Sequence, residues 1–307
     1  MASPQVIRDA AAMRAWSREL RRQGKTVGFV PTMGYLHEGH ISLVKAAGEQ
    51  CDVVAASIYV NPTQFSANED FGVYPRSEAE DLRKLAEAGC AAVFMPAALY
   101  HPGSNGSGSA ANAAMVVGAS DAVDPEAHET WVSVERLSQG LCAKTRPHFF
   151  RGVCTVVTKL FHIVEPDAAF FGKKDYQQWR VIQRMVRDLD MAIDVVGMPI
   201  CREADGLAMS SRNALLTPED RQRCICISQA LAAACEAAVA GTTSAAAELQ
   251  RQVADAIAAG GGRVDYVEVV DARTLRPVED VKGCEALIAV AAFYGKVRLI
   301  DNVDFTA

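Results

Sequence analysis

The sequence lacks the features that mark several classes of protein. No run of about 18 apolar residues, the shortest that spans a membrane, occurs among its 307 residues. No apolar stretch precedes the charged, helix-like segment that contains Arg14, Arg18 and Arg21, so we expect no secretion signal. The chain also lacks an excess of positive charge, because 37 Asp and Glu outnumber 31 Lys and Arg and give a formal net charge of −6, which argues against a nucleic-acid surface. We therefore expect a cytoplasmic protein that binds small molecules and neither nucleic acid nor a membrane.

Aromatic residues make up only 7% of the chain, and its nine cysteines contain no C-x-x-C pair. An odd number of cysteines among apolar residues is typical of reduced, mostly buried thiols in the cytosol. Cys224 and Cys226 form a C-x-C pair, but residues two apart on a helix diverge, which does not suit a metal site. The phosphate-binding pattern G-x-x-x-x-G-K-[ST] is missing as well. If the chain binds ATP, it must do so by another device.

What is present is an alternation of apolar runs and helical periodicity through the first two thirds of the chain. Strands are predicted at residues 26–30, 53–60, 91–95, 167–171 and 193–198. Helices are predicted at residues 10–23, 38–50, 77–88, 153–163 and 176–189. This alternation predicts an α/β fold, with a Rossmann-like, doubly wound parallel sheet covered by helices on both faces.

The pattern changes after about Met198. A helix that starts at Thr217 is predicted to run to Gly241, and a second covers residues 244–259. Strands are predicted at 264–270, 286–293 and 297–300. We therefore predict a Rossmann-like domain over residues 1–198 and a smaller C-terminal α+β domain over residues 199–307. The small, polar segment from Pro102 to Ala114 predicts an inserted surface loop, and the dinucleotide-like glycine spacing inside it follows no strand.

The stretch VPTMGYLHEGH, residues 30–40, lies where a predicted strand leads into a helix. Such a junction, at the carboxyl end of a parallel strand, is where open α/β sheets bind ligands. His37 and His40 are three apart and would lie on one side of the first helical turn, where a helix start favours phosphate. Gly34 and Gly39 would let a ligand approach the backbone. One capping and one surface histidine is the alternative that the spacing leaves open.

Three further polar stretches follow predicted strands or lie at the domain junction. In FFGKKDYQQ, residues 170–178, Lys173 and Lys174 could neutralise phosphates and Asp175 could hold Mg²⁺. In GLAMSSRN, residues 206–213, two hydroxyls and a guanidinium offer donors to an anion. In YVNPTQF, residues 59–65, Asn61 and Gln64 could bind a polar ligand. Each stretch could also be an ordinary polar turn or helix start, but together the loops are expected to converge on one cleft.

Five stretches occur in a recognisable order and spacing: PTMGYLHEGH, YVNPTQF, YPR at residues 74–76, FFGKKDYQQ and READGLAMSSRN. Together they resemble the pantothenate synthetase (pantoate–β-alanine ligase) family. This family belongs to the nucleotidyltransferase superfamily, which carries a HIGH-type histidine motif and a KMSKS-like loop. The resemblance extends from about Ala10 to Asn302, and details such as GKKDYQQWR are similar to its plant-type branch.

The resemblance implies a role for each matching residue. The catalytic residues would be His37, His40, Lys174 and Arg212, with His40 as proton donor. Pantoate would be held by Gln64 and Gln178, assisted by Asn61, and Mg²⁺ by Asp175. The ATP site would comprise Pro31, Thr32, Met33, Gly34, His37, Gly39, His40, Gly172, Lys174, Asp175, Cys201, Met209, Ser210, Ser211 and Arg212.

Three positions depart from the usual bacterial pattern of the family. Lys173 replaces a glutamate, and Phe149 replaces a histidine, which puts a role for either side chain in doubt. Cys201 replaces a valine that contacts adenine through its backbone, so that change should matter little.

The resemblance also implies the reaction. The carboxylate of pantoate would attack the α-phosphorus of Mg·ATP, and the amine of β-alanine would then attack the resulting adenylate, releasing AMP and pantothenate. Catalysis should rest on alignment and charge neutralisation. A homodimer is expected, with the C-terminal domain as a lid that carries the KMSKS-like loop. The alternatives are another nucleotidyltransferase with the same histidine motif, or a catalytically silent nucleotide-binding module.

Overall fold

The structure is a computed structural model that describes residues 3–65, 72, 74–101 and 127–307. The predicted surface loop at Pro102 to Ala114 lies outside the described residues. The chain divides into two compact units. The first unit comprises Met1–Gln139, Ala143–Phe171 and Val181–Met198, and the second comprises Gly140–Cys142, Gly172–Arg180 and Pro199–Ala307. Two short segments from the first two thirds of the chain therefore cluster with its C-terminal third.

The first unit is built on one sheet of six strands. These are β1 (Gln5–Ile7), β2 (Val27–Thr32), β3 (Val53–Ile58), β4 (Ala92–Phe94), β5 (Ala168–Gly172) and β6 (Asp194–Met198), in the spatial order β1-β4-β3-β2-β5-β6. The pairs β1–β4, β4–β3, β3–β2 and β2–β5 are parallel. Chain order moves outward from β2 through β3 to β4 and then restarts beside β2 with β5. The topological switch point, where such sheets bind ligands, therefore lies between β2 and β5.

Helices cover both faces of this sheet. They are α1 (Ala10–Arg22), α2 (Glu38–Gln50), α3 (Glu78–Glu87), α4 (Phe149–Val164) and α5 (Tyr176–Asp188). Neighbouring strand residues point to opposite faces. Val30 belongs to a buried cluster with Val44 of α2 and Leu85 of α3, whereas Phe29 meets Phe161 of α4 edge-on, with ring centroids 6.5 Å apart. The predicted Rossmann-like, doubly wound sheet is confirmed.

Residues 199–307 carry three helices and a smaller antiparallel sheet. The elements are α6 (Pro218–Arg223), α7 (Cys226–Val239), α8 (Ala246–Ala259), β7 (Arg263–Asp271), β8 (Glu285–Tyr294) and β9 (Val297–Thr306). The strands pair antiparallel in the order β7-β8-β9. Leu249 and Ile257 of α8 are buried in one cluster with Val290 and Tyr294 of β8. The predicted small α+β part of the fold is confirmed.

The prediction of one unbroken helix from Thr217 to Gly241 is wrong, because the chain forms two helices there. The first helix begins at Pro218 and stops at Arg223, and the second begins at Cys226. At the break the backbone N–H of Ile227 donates to the carbonyl of Cys224 at 3.1 Å, three residues back rather than four. Such a tightened turn changes the course of the chain between two helices, and the continuous alanine-rich pattern does not reveal it.

Two strands also differ from expectation. β1 was not predicted, because three residues are too few to show a period. β9 runs to Thr306, six residues beyond its predicted end at Ile300. The prediction stopped early because Asp301 and Asn302 are residue types that are depleted in strands. Within the described ranges, no helix combines the length and the apolar character needed to cross a membrane.

Candidate active site

The helix that follows β2 is capped by two histidine side chains. His37 is the N-cap of α2, and its Nδ1 accepts a hydrogen bond from the backbone N–H of Gly39 at 3.1 Å. His40 lies in the first turn, and its Nδ1 accepts from the backbone N–H of His37 at 3.3 Å. The ring centroids are 4.1 Å apart. The two imidazoles therefore form a capping box, which satisfies N–H groups that a helix start leaves without helical partners.

These hydrogen bonds also decide which ring nitrogen carries the proton. Each Nδ1 accepts from a backbone N–H, so the neutral rings of His37 and His40 hold their hydrogen on Nε2. An Nε2–H near the positive end of a helix is a suitable donor to a phosphoryl oxygen. One capping and one surface histidine was the alternative, but both rings cap the helix and both residues are partly buried. The catalytic use of Nε2 stays a prediction.

The turn before this helix is held by a buried carboxylate of α3. Gly34 has φ +85° and Tyr35 has φ 53°, a left-handed conformation that a residue with a side chain adopts at a cost. Asp81, which is 1% exposed, accepts from the backbone N–H of Tyr35 at 2.8 Å and of Leu36 at 2.7 Å. Lys84 donates to the carbonyl of Leu36 at 2.7 Å. The two charged side chains thus fix the strained turn that leads to the histidines.

Asp81 was not among the residues predicted from the sequence, although a signal for it is present. Asp81 precedes the buried Leu85 by four residues, so the two share one face of α3. An acid at a core position of an amphipathic helix requires hydrogen-bond partners. That pattern could have identified Asp81 as a structural anchor, but not the turn that it holds.

Asn61, in the turn after β3, is buried and bonded on both sides of its amide. Its Oδ1 accepts from the hydroxyls of Thr63 and Tyr100, each at 3.0 Å. Its Nδ2 donates to the carbonyl of Gly152 at 3.2 Å and to Oε1 of Gln64 at 3.1 Å. Burial raises the pKa of Tyr100, which keeps its hydroxyl protonated as a donor. Asn61 is therefore arranged to orient Gln64 rather than to contact a ligand itself.

This network determines which way the amide of Gln64 points. The carbonyl of Gly152 can only accept, so the group of Asn61 that faces it is Nδ2, and the Gln64 atom beside that Nδ2 must be Oε1. The Nε2 of Gln64 then points to Sδ of Met33 at 3.0 Å, which is a weak acceptor. A carboxylate or hydroxyl oxygen would be a stronger one. The role of Gln64 as a substrate ligand stays a prediction.

Gly152 allows α4 to approach the turn after β3 closely. A Cβ on Gly152 would lie 2.7 Å from the carbonyl carbon and from Oγ1 of Thr63, which close packing does not permit. Arg146 donates from Nη2 to the carbonyl of Gln64 at 3.0 Å, and its guanidinium lies 3.9 Å from the centroid of the Phe149 ring. Phe149 therefore supports the arginine that holds this turn, which gives a role to one departure from the bacterial pattern.

The two lysines after β5 have different surroundings. Lys173, Lys174 and Asp175 form a short 3₁₀ turn before α5. Lys173 Nζ pairs with Asp304 at 2.9 Å and lies 5.1 Å from the centroid of the Trp179 ring. Lys174 Nζ lies 3.7 Å from Oδ2 of Asp175, beyond hydrogen-bonding distance. Lys173 thus has a structural partner, and Lys174 and Asp175 stay the candidates for phosphate and metal.

The two glutamines at the start of α5 differ in a similar way. Gln177 is buried, its Oε1 accepts from the backbone N–H of Cys142 at 3.1 Å, and its Nε2 donates to the carbonyl of Gly140 at 3.3 Å. It therefore holds the segment Gly140–Cys142 against the start of α5. Gln178 is partly buried and stays the predicted substrate ligand.

The segment that leads to the SSRN stretch is a tight hairpin. The carbonyl of Cys201 accepts from the backbone N–H of Met209 at 3.0 Å, and the chain reverses at Gly206, whose φ of +92° favours glycine. Ser210 Oγ accepts from the backbone N–H of Arg212 at 3.3 Å and caps a short 3₁₀ helix. This stretch is therefore a capped polar turn, which was the alternative given for it from the sequence. Nucleotide contacts from this loop stay a prediction.

The predicted site residues are divided between the two units. The first unit contains Pro31, Thr32, Met33, Gly34, His37, Gly39, His40, Asn61 and Gln64. The second contains Gly172, Lys174, Asp175, Gln178, Cys201, Met209, Ser210, Ser211 and Arg212. Convergence of both sets on one cleft stays a prediction. Across the described parts of the chain, no group of three His, Cys, Asp or Glu side chains could hold a metal ion, so Asp175 would need oxygen ligands from a substrate and water.

The chain matches one protein family over almost its whole length. A sequence model described as pantoate-beta-alanine ligase matches residues 5–304. A pantoate–beta-alanine ligase of Arabidopsis thaliana is 53% identical over 309 residues, which cover 98% of this chain and 98% of that protein.

Solved structures agree with this match. A crystal structure of pantothenate synthetase from Thermus thermophilus is similar with a TM-score of 0.83 and 40% identity, covering 99% of this chain and 100% of that one. A pantoate–beta-alanine ligase from Francisella tularensis, complexed with beta-gamma ATP and beta-alanine, has a TM-score of 0.74 and 30% identity, with 98% of each chain covered. The chain therefore belongs to the pantoate–β-alanine ligase family.

Proposed function

We propose that this chain, as a pantoate–β-alanine ligase, condenses pantoate with β-alanine to form pantothenate at the expense of ATP, with AMP and pyrophosphate as the other products. Family membership over residues 5–304 supports the reaction. The observation that carries the proposal is the imidazole-capped helix start after β2, one of the two strands at the topological switch point. Helix N-termini at this place in an α/β sheet suit phosphate groups.

In the first step, the pantoate carboxylate attacks the α-phosphorus of ATP and pyrophosphate leaves, which gives pantoyl adenylate. His37 and His40 donate from Nε2 to phosphoryl oxygens as charge develops. Lys174 and Arg212 neutralise charge on the transferred nucleotide and the departing pyrophosphate. The chemistry needs alignment rather than a protein nucleophile. The KMSKS-like loop, which carries Arg212, adds Met209, Ser210 and Ser211 to the nucleotide site.

Gln64 and Gln178 hold pantoate in this proposal. The support for Gln64 is its Nε2, which faces a thioether at 3.0 Å and would gain a better acceptor from a carboxylate or hydroxyl. Asn61 acts through Gln64, since its own amide is bonded to protein groups. In the second step, the β-alanine amine attacks the acyl carbon of the adenylate, and AMP leaves.

Magnesium fits the donor set near Lys174. Mg²⁺ is held in nucleotide sites by one or two carboxylates together with phosphate oxygens and water, and Asp175 offers one carboxylate, 47% exposed, in the turn before α5. When bound, the ion would neutralise phosphate charge. Asp175 would hold the ion through its carboxylate. Lys174, whose Nζ lies 3.7 Å from that carboxylate, would neutralise a further part of the phosphate charge.

The remaining proposals concern the whole molecule. We place the nucleotide and pantoate sites in the Rossmann-like domain, residues 1–198, and assign residues 199–307 to a lid that carries the KMSKS-like loop. A cytoplasmic homodimer is proposed by analogy with the family. All nine cysteines are free, which supports a reducing compartment. Only three of them are buried and six are partly exposed, so the expectation of mostly buried thiols is wrong.

The test is the release of pyrophosphate and AMP by the purified protein with Mg·ATP. Pantoate alone should produce pyrophosphate and an enzyme-bound adenylate, and AMP should appear with a new amide only after β-alanine is added. Retention of the nucleotide in the product would identify another nucleotidyltransferase. ATP binding with no pantoate-dependent pyrophosphate would identify a silent nucleotide-binding module and overturn the proposal.

A further inference from the structure

The last strand, β9, carries two adjacent buried polar residues. Asp301 is 3% exposed and Asn302 is 4% exposed. Polar side chains buried in a strand need hydrogen-bond partners. The partners here come from two other segments of the second unit, the turn that carries Lys174 and the hairpin that begins at Cys201.

Asn302 holds the backbone of the turn that carries Lys174. Its Nδ2 donates to the carbonyl of Lys173 at 3.0 Å and to the carbonyl of Lys174 at 2.9 Å. An amide nitrogen has two hydrogens, one for each carbonyl. These carbonyls belong to the two peptide planes that flank the Cα of Lys174. With both planes held, the direction in which the Lys174 side chain leaves the backbone is fixed.

Asp301 holds the base of the hairpin that leads to Ser210. Its carboxylate accepts from both terminal nitrogens of Arg202, at 2.7 Å and 3.0 Å. Arg202 also donates to the carbonyl of Gly206 at 3.1 Å. The backbone N–H of Asn302 donates to Oδ1 of Asp301 at 2.8 Å, so the two residues are linked. A bidentate pair of this kind sets orientation as well as contact.

We propose that Asp301 and Asn302 are positioning residues that set the geometry of both nucleotide-binding loops of the second unit. Neither touches substrate in this scheme. Asn302 orients Lys174 through its backbone, and Asp301 orients the segment before Ser210 through Arg202. The inference rests on the proposed function, because it takes Lys174 to be a phosphate ligand. It adds two residues of β9, a strand of the C-terminal sheet, that lie far along the chain from every motif of the site.

A double-mutant cycle between Asn302→Ala and Lys174→Ala tests the proposal. The readout is kcat/KM for ATP, measured by pantoate-dependent pyrophosphate release, with thermal unfolding recorded for each variant. Displacing a catalytic group by about 1 Å costs ~10²-fold in rate, so Asn302→Ala should lower kcat/KM for ATP by ~10- to 100-fold. If Asn302 acts through Lys174, adding Asn302→Ala to Lys174→Ala should cost less than about twofold more.

The outcomes separate this inference from the proposed function. Near-normal kcat/KM in Lys174→Ala would remove Lys174 from the site and overturn both. A strong loss in Lys174→Ala, combined with independent and multiplying effects of the two changes, would make Asn302 a structural residue only and overturn this inference alone. A wild-type kcat/KM in folded Asn302→Ala would also overturn this inference and leave the proposed function intact.

Two further variants guard against a folding defect. Asn302→Ser keeps one donor, so it should fold and give a loss between wild type and Asn302→Ala; full activity in Asn302→Ser, with unfolding unchanged, would contradict the proposal. Asp304→Asn is the matched control on the same strand, since Asp304 contacts the side chain of Lys173 at 2.9 Å rather than the backbone of the turn. It should leave kcat/KM for ATP unchanged, and a loss equal to that of Asn302→Ala would count against a specific role for Asn302.

Discussion

The start of α2 in the first unit and the turn with Lys174 in the second unit obtain their geometry in different ways. In the first unit, the histidines of the motif cap their own helix, with Nδ1 of each ring accepting a backbone N–H at 3.1 Å and 3.3 Å. The residues assigned to the chemistry also build the local structure. In the second unit, the turn with Lys174 is held by Asn302, 128 residues away along the chain.

This difference has a consequence for substitution. Where the motif residue is also the cap, its removal mixes a structural loss with a chemical one, and the two must be separated by design. Where a distant strand holds the turn, the chemistry and its support can be changed independently. At the start of α2, the two effects can be separated by substitutions that keep an acceptor in place of Nδ1 and remove the Nε2–H donor. At the turn with Lys174, they can be separated by substitutions in β9.

The largest effect is expected from His40→Asn. Asparagine Oδ1 can take the place of Nδ1 as acceptor for the backbone N–H of His37, so the cap is kept, while the Nε2–H donor is lost. Loss of one transition-state donor costs ~10² to 10³ in rate, or ~3 to 4 kcal/mol. Pantoate-dependent pyrophosphate release should fall by this factor with the unfolding temperature nearly unchanged.

His37→Asn makes the same change at the other histidine of the cap. Asparagine is a good N-cap residue, so it should keep the cap of α2 and remove only the Nε2–H donor. If His40→Asn lowered the unfolding temperature by as much as His40→Ala while retaining most of its activity, the capping role would be the whole role of the ring. The imidazole of His40 would then take no part in the chemistry.

The next effect is expected from Gly152→Ala, which forces α4 away from the turn that carries Asn61 and Gln64. The added Cβ would lie 2.7 Å from Oγ1 of Thr63, and overpacking of this kind costs ~1 to 3 kcal/mol of stability. KM for pantoate should rise far more than KM for ATP, because the turn orients Gln64 and not a phosphate ligand. Steady-state kinetics with each substrate varied in turn measures the split.

Gly48→Ala is the matched control for that change. Gly48 lies within α2, and a Cβ there would meet Val54 at an ordinary 3.7 Å, so alanine should stabilise the helix by ~0.5 to 1 kcal/mol. Equal increases in KM for both substrates in Gly152→Ala would show a general loosening of the first unit and not a specific effect on the turn.

The sequence was most informative where a motif builds its own geometry. The strand–helix junction with His37 and His40, and the doubly wound sheet, follow from local spacing and alternation. The buried Asp81 and the extension of β9 through Asn302 did not follow, because their partners lie far along the chain and their residue types disfavour strands and helix cores. The tertiary contact, not local propensity, decides their place.

The orientation of Gln64 also could not be read from the sequence. Its spacing from Asn61 indicates a shared turn, but the direction of its amide depends on a chain of bonds that begins at the carbonyl of Gly152, 91 residues from Asn61. Lys173 and Phe149 illustrate the same limit. As departures from the family pattern they put function in doubt, and only their contacts with Asp304 and Arg146 show what they do.

The smallest effect concerns Lys173, which is tied to the same strand as Lys174 but through its side chain. Its pair with Asp304 is partly exposed, at 27% and 41% for the two side chains, and such pairs contribute about 0 to 1 kcal/mol. Lys173→Glu, which introduces the glutamate expected from the family resemblance, should place like charges together and lower the free energy of unfolding by less than about 1 kcal/mol, more at low salt than at high salt. Adding Asp304→Lys should restore the pair and the stability, with kcat/KM for ATP within about twofold of wild type in both proteins. A tenfold loss of kcat/KM in Lys173→Glu that the second substitution did not recover would show that Lys173 contacts the nucleotide, and the contrast between the two lysines would disappear.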